Sequence, residues 1–174
     1  HNIELYAKKN GEVIALRDSF LHDTGAFIPY GIAIAQVAST SIAGPYRIPN
    51  ISVEFKAVYT PTVPITPYRG CGRPQACFAI ERAMDQLAEE LGLDRFEIRR
   101  RNLVPVSAMP YKTPIGPTYN CGDFPKIFAR VLQVADYDGF AQRKAAASRN
   151  GTLRGIGMAT YVESSGVAPS RFAT

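Results

Sequence analysis

The chain has 174 residues, of which 46% are hydrophobic and 20% charged, and it carries a formal net charge of +5. This composition suits one domain, or one part of a larger domain, with a single buried core, and it excludes a largely disordered chain. No apolar run approaches the ~20 residues of a membrane-spanning helix, and the first residues lack a signal-peptide pattern. We therefore expect a cytoplasmic protein, with a periplasmic location as the alternative.

Two strands are predicted near the N-terminus. Residues 3–7 and 13–21 flank a Lys-Asn-Gly turn at residues 9–11, which is the pattern of a β-hairpin. Residues 22–25 then break the strand pattern. His22 has no second histidine or carboxylate at ligand spacing, so we interpret it as a hydrogen-bonded structural residue rather than a metal ligand.

A short buried helix and a third strand follow. Small apolar residues dominate residues 31–42 and predict the helix. Residues 51–59 alternate between apolar and polar side chains, which predicts a half-buried strand. Between them, Pro45 and Pro49 bracket a rigid, extended connector. A group of three further prolines ends the third strand.

The chemically distinctive loop covers residues 67–75, with the sequence PYRGCGRPQ. Gly70 and Gly72 permit positive φ angles and a close approach of the backbone to a bound group. Arg69 and Arg73 add two permanent cations, and the proline after them suits the first turn of a helix. Because the free amides of a helix N-terminus attract anions, the loop is either an anion-binding site or a plain turn before a core helix.

A long amphipathic helix is predicted for residues 76–91. Its apolar side chains recur at spacings of four, three and four residues, so one face should pack on the sheet. The residues of this face are Ile80, Met84, Leu87 and Leu91. We expect the charged side chains, Glu81 among them, to turn away from it. Gly92 is the expected C-terminal cap.

A second helix should follow directly, because Asp94 begins a capping box. Residues 99–101 are three consecutive arginines on this helix. Consecutive residues fan around a helix, and no aromatic side chain is interleaved with these three. We therefore predict that the arginines form salt bridges or contact a partner surface, and we predict no nucleic-acid binding.

The rest of the chain is predicted to contain a long ordered loop at residues 104–123, two helices and a strand. Asp123 is the expected N-cap of the first of these helices. Its predicted buried side comprises Ile127, Phe128, Val131, Leu132 and Val134. A more polar helix at residues 138–148 and a strand at residues 154–162 follow. Together, the predicted elements make an α+β fold, with a mixed sheet of a few strands packed against several helices.

The three cysteines are Cys71, Cys77 and Cys121. Their number is odd and they lack a C-x-x-C spacing, so the sequence indicates neither a disulfide framework nor a zinc site. We expect reduced thiols in a reducing compartment.

The loop and its flanking segments resemble the molybdopterin-binding large subunit of the xanthine dehydrogenase and aldehyde oxidase family. The similar segments are residues 44–50, 68–75, 80–85, 90–92, 98–102, 109–116 and 119–123. The resemblance covers nearly the whole chain. It implies that residues 1–174 are a single segment of a molybdopterin-binding domain, cut from a longer chain.

The resemblance implies six cofactor-binding residues: Arg69, Gly70, Cys71, Gly72, Arg73 and Gln75. In the family this loop lies beside the molybdenum centre, and the residue at the position of Cys71 lines the substrate pocket. Cys71 is then either a neutral thiol of that pocket or a reactive thiolate next to Arg69. Xanthine-type members have a phenylalanine here, and carbon monoxide dehydrogenases have a copper-binding cysteine in a different local pattern. We therefore assign neither purine stacking nor copper.

The implied function is part of a molybdenum hydroxylase, an oxidoreductase that acts on aldehydes or aromatic heterocycles with water as the oxygen source. The implied cofactors are molybdenum–molybdopterin in its cytosine dinucleotide form, with iron–sulfur clusters and FAD on partner domains or subunits. The catalytic glutamate of the family lies beyond residue 174, so no catalytic residue is assigned and the segment alone is predicted to be inactive. The alternative is a noncatalytic structural or subunit-contact module on the same scaffold.

Overall fold

The computed structural model describes residues 1–28 and 30–163, and its centre is a three-stranded mixed sheet. β1 (Asn2–Ala7) and β2 (Val13–Gly25) are antiparallel, and β3 (Asn50–Tyr59) lies parallel to β2 on its other side. The predicted hairpin and third strand are therefore confirmed. In the turn of the hairpin, the Gly11 N–H donates to the Lys8 carbonyl at 2.8 Å.

β2 continues past Leu21, because residues 22–25 remain paired with β3. His22 lies opposite Ala57 in the register. The register is irregular between Asp23 and Gly25, where the Asp23 carboxylate accepts a hydrogen bond from the Gly25 N–H at 2.8 Å. The prediction that these residues end the strand is wrong, since the polar residues mark an irregularity within it.

Three helices pack beside the sheet. They are α1 (Ala33–Ser41), α2 (Arg73–Leu91) and α3 (Arg95–Asn102). α1 contacts α2 and β3, whereas α2 contacts β1 and α3. The buried core includes Leu16 of β2, Met84 of α2 and Ile98 of α3. These helices confirm the three predicted in this region, although α2 begins three positions earlier than its apolar periodicity indicated.

The caps of α2 and α3 also confirm the predictions. Gly92 adopts a left-handed conformation with a φ of +61°. The Asp94 side chain accepts hydrogen bonds from the N–H groups of Phe96 and Glu97, both at 2.9 Å. The two caps let α3 start directly after α2 and pack against it.

Glu81 is buried rather than turned away from the core. Its carboxylate accepts hydrogen bonds from Arg99 Nε at 2.7 Å, the Tyr46 hydroxyl at 2.5 Å and the Thr160 hydroxyl at 2.8 Å. Arg99 also pairs with Asp85 at 2.9 Å. The prediction for Glu81 is wrong because helical periodicity does not show that a neighbouring helix supplies a buried cation.

The other two arginines of the run are surface groups. Arg100 and Arg101 pair with Glu97 of the same helix at 3.0 Å and 2.9 Å. Together with the buried pair of Arg99, these contacts confirm the prediction that the arginine run serves salt bridges.

The C-terminal half contains smaller elements. They are a 3-10 turn (Val106–Ala108), β4 (Tyr111–Lys112), β5 (Thr118–Tyr119), α4 (Phe124–Val134) and α5 (Phe140–Arg149). Asp123 caps α4 as predicted, because its carboxylate accepts a hydrogen bond from the Lys126 N–H at 3.0 Å. The predicted loop is thus ordered by a 3-10 turn and a two-stranded ladder.

Only part of the predicted apolar side of α4 is buried. Phe128 and Leu132 lie in the core, but Ile127, Val131 and Val134 are 61%, 48% and 69% exposed. The prediction that all five are buried is wrong. The three exposed side chains leave α4 with an apolar face that the described residues cover only in part.

Residues 156–163 form a segment without regular secondary structure, here called the terminal strap. It pairs with no described strand, so the strand predicted at residues 154–162 is wrong. Side chains hold the strap instead: Ile156 and Met158 pack against the core, and Thr160 bonds to Glu81. The sequence of residues 163–167 also resembles a glycine-bearing loop of the family named above, and of these residues only Glu163 lies within the described part of the chain.

The fold is α+β, as predicted. Within residues 1–28 and 30–163, none of the helices has the length and apolar character required to cross a bilayer.

Candidate functional site

The loop before α2 forms a tight arch. Gly70, Cys71 and Gly72 have φ angles of +93°, +43° and +92°. The Cys71 N–H donates to the Tyr68 carbonyl at 2.9 Å, and the Arg73 N–H donates to the Gly70 carbonyl at 3.1 Å. Positive φ is accessible to glycine but costs other residues about 1–3 kcal/mol. The arch therefore depends on its two glycines and holds Cys71 in a strained conformation.

Three amides of the arch are candidate donors to a bound group. The N–H groups of Gly70, Gly72 and Gln75 donate no hydrogen bond to any residue that the structure describes. The first amides of a helix have no partner within it, and the helix macrodipole makes this end positive. These donors, at the start of a helix that runs from Arg73 to Leu91, suit a bound anion.

A cavity of about 550 Å³ adjoins the arch. Four of the six predicted cofactor-binding residues lie on its wall: Arg69, Cys71, Gly72 and Gln75. Arg69 is exposed and forms no salt bridge with a described residue. The cavity therefore combines a permanent cation, a thiol and free amides on one wall.

Gly70 and Arg73, the other two predicted residues, are not on the cavity wall. The Arg73 guanidinium donates to the Gly70 carbonyl at 3.3 Å and to the Glu163 carboxylate at 3.2 Å. Direct contact of these two residues with a cofactor stays a prediction. Glu163 itself was not expected at this loop.

Gly72 has a second role, in helix packing. A Cβ atom at this position would lie 2.2 Å from the Ile34 carbonyl oxygen and 2.9 Å from the Ala38 backbone nitrogen. α1 therefore packs directly on the arch. Glycine is required here by this contact as well as by its φ angle.

Sequence reasoning missed the part of the wall that comes from β2. Phe20, His22 and Asp23 line the cavity. Hydrogen bonds from the Gly25 N–H and then the Thr60 hydroxyl hold the pKa of Asp23 below its ordinary value. The period-two alternation that buries Phe20 would have placed His22 on the same side, had the strand been extended beyond Leu21.

A metal held by side chains alone is not indicated. Across residues 1–28 and 30–163, no three His, Cys, Asp or Glu side chains are grouped so that they could hold an ion. The donor set of the arch, amides and a guanidinium, matches the oxygens of an anionic group such as a phosphate.

Asp18 lies in the core close to the cavity. Its side chain is fully buried, with one oxygen 2.6 Å from His1 Nδ1 and the other without a partner among the described residues. His1 stacks on Phe20, and both rings line the cavity. Burial raises the pKa of Asp18 to about 6.

We expect Asp18→Asn to remove a pH dependence of stability. Because folding favours the protonated carboxyl, its stabilising contribution is full below about pH 4 and is lost as the pH rises through about 6. The difference in unfolding free energy between pH 4 and pH 7 should therefore change by about 2 kcal/mol in the variant. Urea unfolding at both pH values measures this change, and equal pH profiles for the two proteins would contradict it.

Comparisons with known proteins identify the family of the chain. The sequence model of the molybdopterin cofactor-binding domain family matches residues 1–103. The carbon monoxide dehydrogenase large chain of Hydrogenophaga pseudoflava is 34% identical over 97% of this chain. The aldehyde oxidoreductase of Megalodesulfovibrio gigas is 32% identical over 95% of it.

A solved structure gives the same result. The crystal structure of quinoline 2-oxidoreductase from Pseudomonas putida 86 superposes on 86% of this chain with a TM-score of 0.79 and 32% identity. The chain spans about a fifth of these proteins, since it covers 22% of the dehydrogenase, 18% of the aldehyde oxidoreductase and 19% of the quinoline enzyme. The resemblance read from the loop is confirmed: this chain belongs to the molybdopterin cofactor-binding domain family.

Proposed function

We propose that this chain supplies a cofactor-binding loop, residues 68–75, to a molybdenum hydroxylase. The observation that carries the proposal is that the N–H groups of Gly70, Gly72 and Gln75, at the N-terminus of α2, have no acceptor among the described residues, and that Gly72 and Gln75 line the cavity. This donor set fits the anionic groups of a molybdopterin dinucleotide, which are phosphates and oxygen ligands of the metal. Membership of the family supports the same ligand.

Within this site the residues have different tasks. The free amides hold an anionic group by hydrogen bonds, and Arg69 contributes a permanent positive charge on the same wall. Cys71 lines the cavity, where its side chain limits the space left for a substrate. When bound, the molybdenum cofactor supplies two-electron oxidation chemistry with oxygen derived from water, and the chain supplies its position.

The finer parts of the proposal concern the whole protein. We infer an oxidoreductase acting on aldehydes or aromatic heterocycles, supported by relatives named an aldehyde oxidoreductase and a quinoline 2-oxidoreductase. The cofactor is proposed to be the cytosine dinucleotide form, with iron–sulfur clusters and FAD on partner domains or subunits. A cytoplasmic location, rather than a periplasmic one, fits three free cysteines. The catalytic glutamate is proposed to lie outside this chain.

A second candidate function is a noncatalytic subunit-contact module. The observation that favours it is the exposed apolar face of α4, formed by Ile127, Val131 and Val134. Exposed apolar patches commonly mark interaction surfaces. The two functions differ in whether the full-length protein contains molybdenum.

The test uses the full-length protein that contains this chain. We expect purified wild type to contain molybdenum and a pterin nucleotide, measured by elemental analysis and by release of the nucleotide. Arg69→Met should weaken retention of both about 10-fold, because a charge-assisted contact is lost. Arg130→Met is the control, since Arg130 is an exposed arginine of α4 that does not line the cavity. A wild-type protein that lacks molybdenum would favour the subunit-contact module.

A further inference from the structure

Arg73 connects the arch to the terminal strap. Its Nη1 atom lies 3.3 Å from the Gly70 carbonyl oxygen and 3.2 Å from Glu163 Oε1. The Arg73 side chain is 19% exposed and that of Glu163 is 46% exposed. The ion pair is therefore shielded from water mainly on the arginine side, where the guanidinium faces the arch.

The strap is anchored on α2 before it reaches Arg73. The Thr160 hydroxyl donates to Glu81 at 2.8 Å, and the Thr160 carbonyl accepts a weak hydrogen bond from the Cys77 thiol at 3.9 Å. From Glu81 back to Arg73 the helix measures ~12 Å, and the three residues from Thr160 to Glu163 can span up to ~10 Å. The strap thus follows α2 towards its N-terminus and delivers Glu163 to Arg73.

The contact of Arg73 fixes one peptide unit of the arch. In the peptide unit between Gly70 and Cys71, the Gly70 carbonyl accepts hydrogen bonds from the Arg73 N–H and from the Arg73 guanidinium. The Cys71 N–H of the same unit donates to the Tyr68 carbonyl. Because a peptide unit is planar and rigid, holding both of its ends sets its orientation. The adjacent N–H groups of Gly70 and Gly72 then remain outside these hydrogen bonds.

We propose that Arg73 and Glu163 are positioning residues for the cofactor-binding arch, an inference that rests on the proposed function. Glu163 holds the guanidinium beneath the Gly70 carbonyl, and the guanidinium holds the arch in the conformation that leaves its amides free. This role replaces the direct cofactor contact that the resemblance implies for Arg73. Neither residue lines the cavity, and both act through the Gly70 carbonyl.

The test measures how fast the full-length protein loses molybdenum and pterin nucleotide during dialysis. Glu163→Gln and Arg73→Gln should each accelerate the loss about 10-fold, the lower end of the range for residues that orient metal-site ligands. The double variant should be no worse than the worse single variant, because both changes remove the same support. Arg100→Gln breaks an exposed ion pair of α3 and is the matched control, with an unchanged rate.

Exchanging the two charges separates two roles of the ion pair, which are positioning of the arch and simple attachment of the strap to α2. Arg73→Glu combined with Glu163→Arg restores the ion pair but puts no donor beneath the Gly70 carbonyl. We expect it to restore the unfolding midpoint and not the retention of the cofactor. Restored retention, or unchanged retention in Glu163→Gln, would overturn the inference. Glu163→Gln keeps the size of a half-exposed side chain and should therefore fold. If an Arg73 variant does not fold, retention of the cofactor in Glu163→Gln alone tests the positioning role.

The same measurements distinguish failure of the proposed function from failure of the positioning role. Wild-type protein without molybdenum removes the proposed function and this inference together. Wild type that retains the cofactor, with Arg69→Met losing it and Glu163→Gln retaining it, leaves the proposed function standing and removes only the positioning role.

Discussion

Replacement of Gly72 by alanine should destabilise the chain by about 3–5 kcal/mol, a large fraction of the total stability of a typical domain. Two costs add at this position. A φ of +92° is strained for any residue with a Cβ atom, and that atom would lie 2.2 Å from the Ile34 carbonyl oxygen. Because this oxygen belongs to the backbone of α1 itself, relief requires the helix to move. Urea unfolding followed by far-UV circular dichroism measures the loss.

Gly92→Ala is the matched control for this substitution. Gly92 also has a positive φ, of +61°, but a Cβ atom there would meet no atom within 4 Å. Gly92→Ala should lower the free energy of unfolding by about 1 kcal/mol, which is the cost of the backbone conformation alone. Equal effects of the two substitutions would show that the contact with α1 is unimportant and would remove the packing argument for Gly72.

The local elements of the fold were predictable because each has a short-range signal. The hairpin turn at residues 9–11, the Asp94 and Asp123 caps and the Gly92 terminus are all encoded by residues within one turn of the element that they bound. The loop at residues 68–75 was recognisable for the same reason, and its role as an anion site stays a prediction. Its two glycines and its position before a helix are visible in the sequence.

Tertiary partners account for the errors. Glu81 was placed on a solvent face because the helical pattern cannot show that Arg99, on the next helix, is buried beside it. Residues 154–162 have the composition of a strand, but side-chain contacts through Thr160, rather than a strand ladder, hold them. The apolar face of α4 was assigned to the core although no described residue covers Val134.

For the candidate site, too, the local features were predictable and the tertiary contacts were not. The residues that belong to the loop itself were identified, whereas the cavity wall from β2 and the contact of Glu163 were not. Asp23 lines the cavity and Glu163 pairs with Arg73 of the loop, but both come from distant parts of the chain and neither belongs to a motif. The role of such a polar residue depends on which other elements pack beside it, and the local sequence does not show this.

Arg99→Met should destabilise the chain by about 3–5 kcal/mol, because it leaves Glu81 as a buried charge without its cation. Arg99 is 1% exposed and binds the Glu81 side chain at 2.7 Å and the Glu81 carbonyl at 3.1 Å. Methionine fills much of the same volume, so the loss reports the charge more than a cavity. Thermal and urea unfolding of the variant measure it.

Two further variants separate the buried charge from the general effect of removing an arginine. Arg100→Met should cost less than about 1 kcal/mol, because its pair with Glu97 is exposed. Arg99→Met combined with Glu81→Gln should be more stable than Arg99→Met alone, since glutamine removes the unpaired charge and still accepts the hydrogen bonds of Tyr46 and Thr160. If the double variant were less stable than the single one, the buried carboxylate would not be the source of the loss. Because Thr160 anchors the strap on Glu81, the single variant should also loosen the contact between Glu163 and Arg73 at the arch.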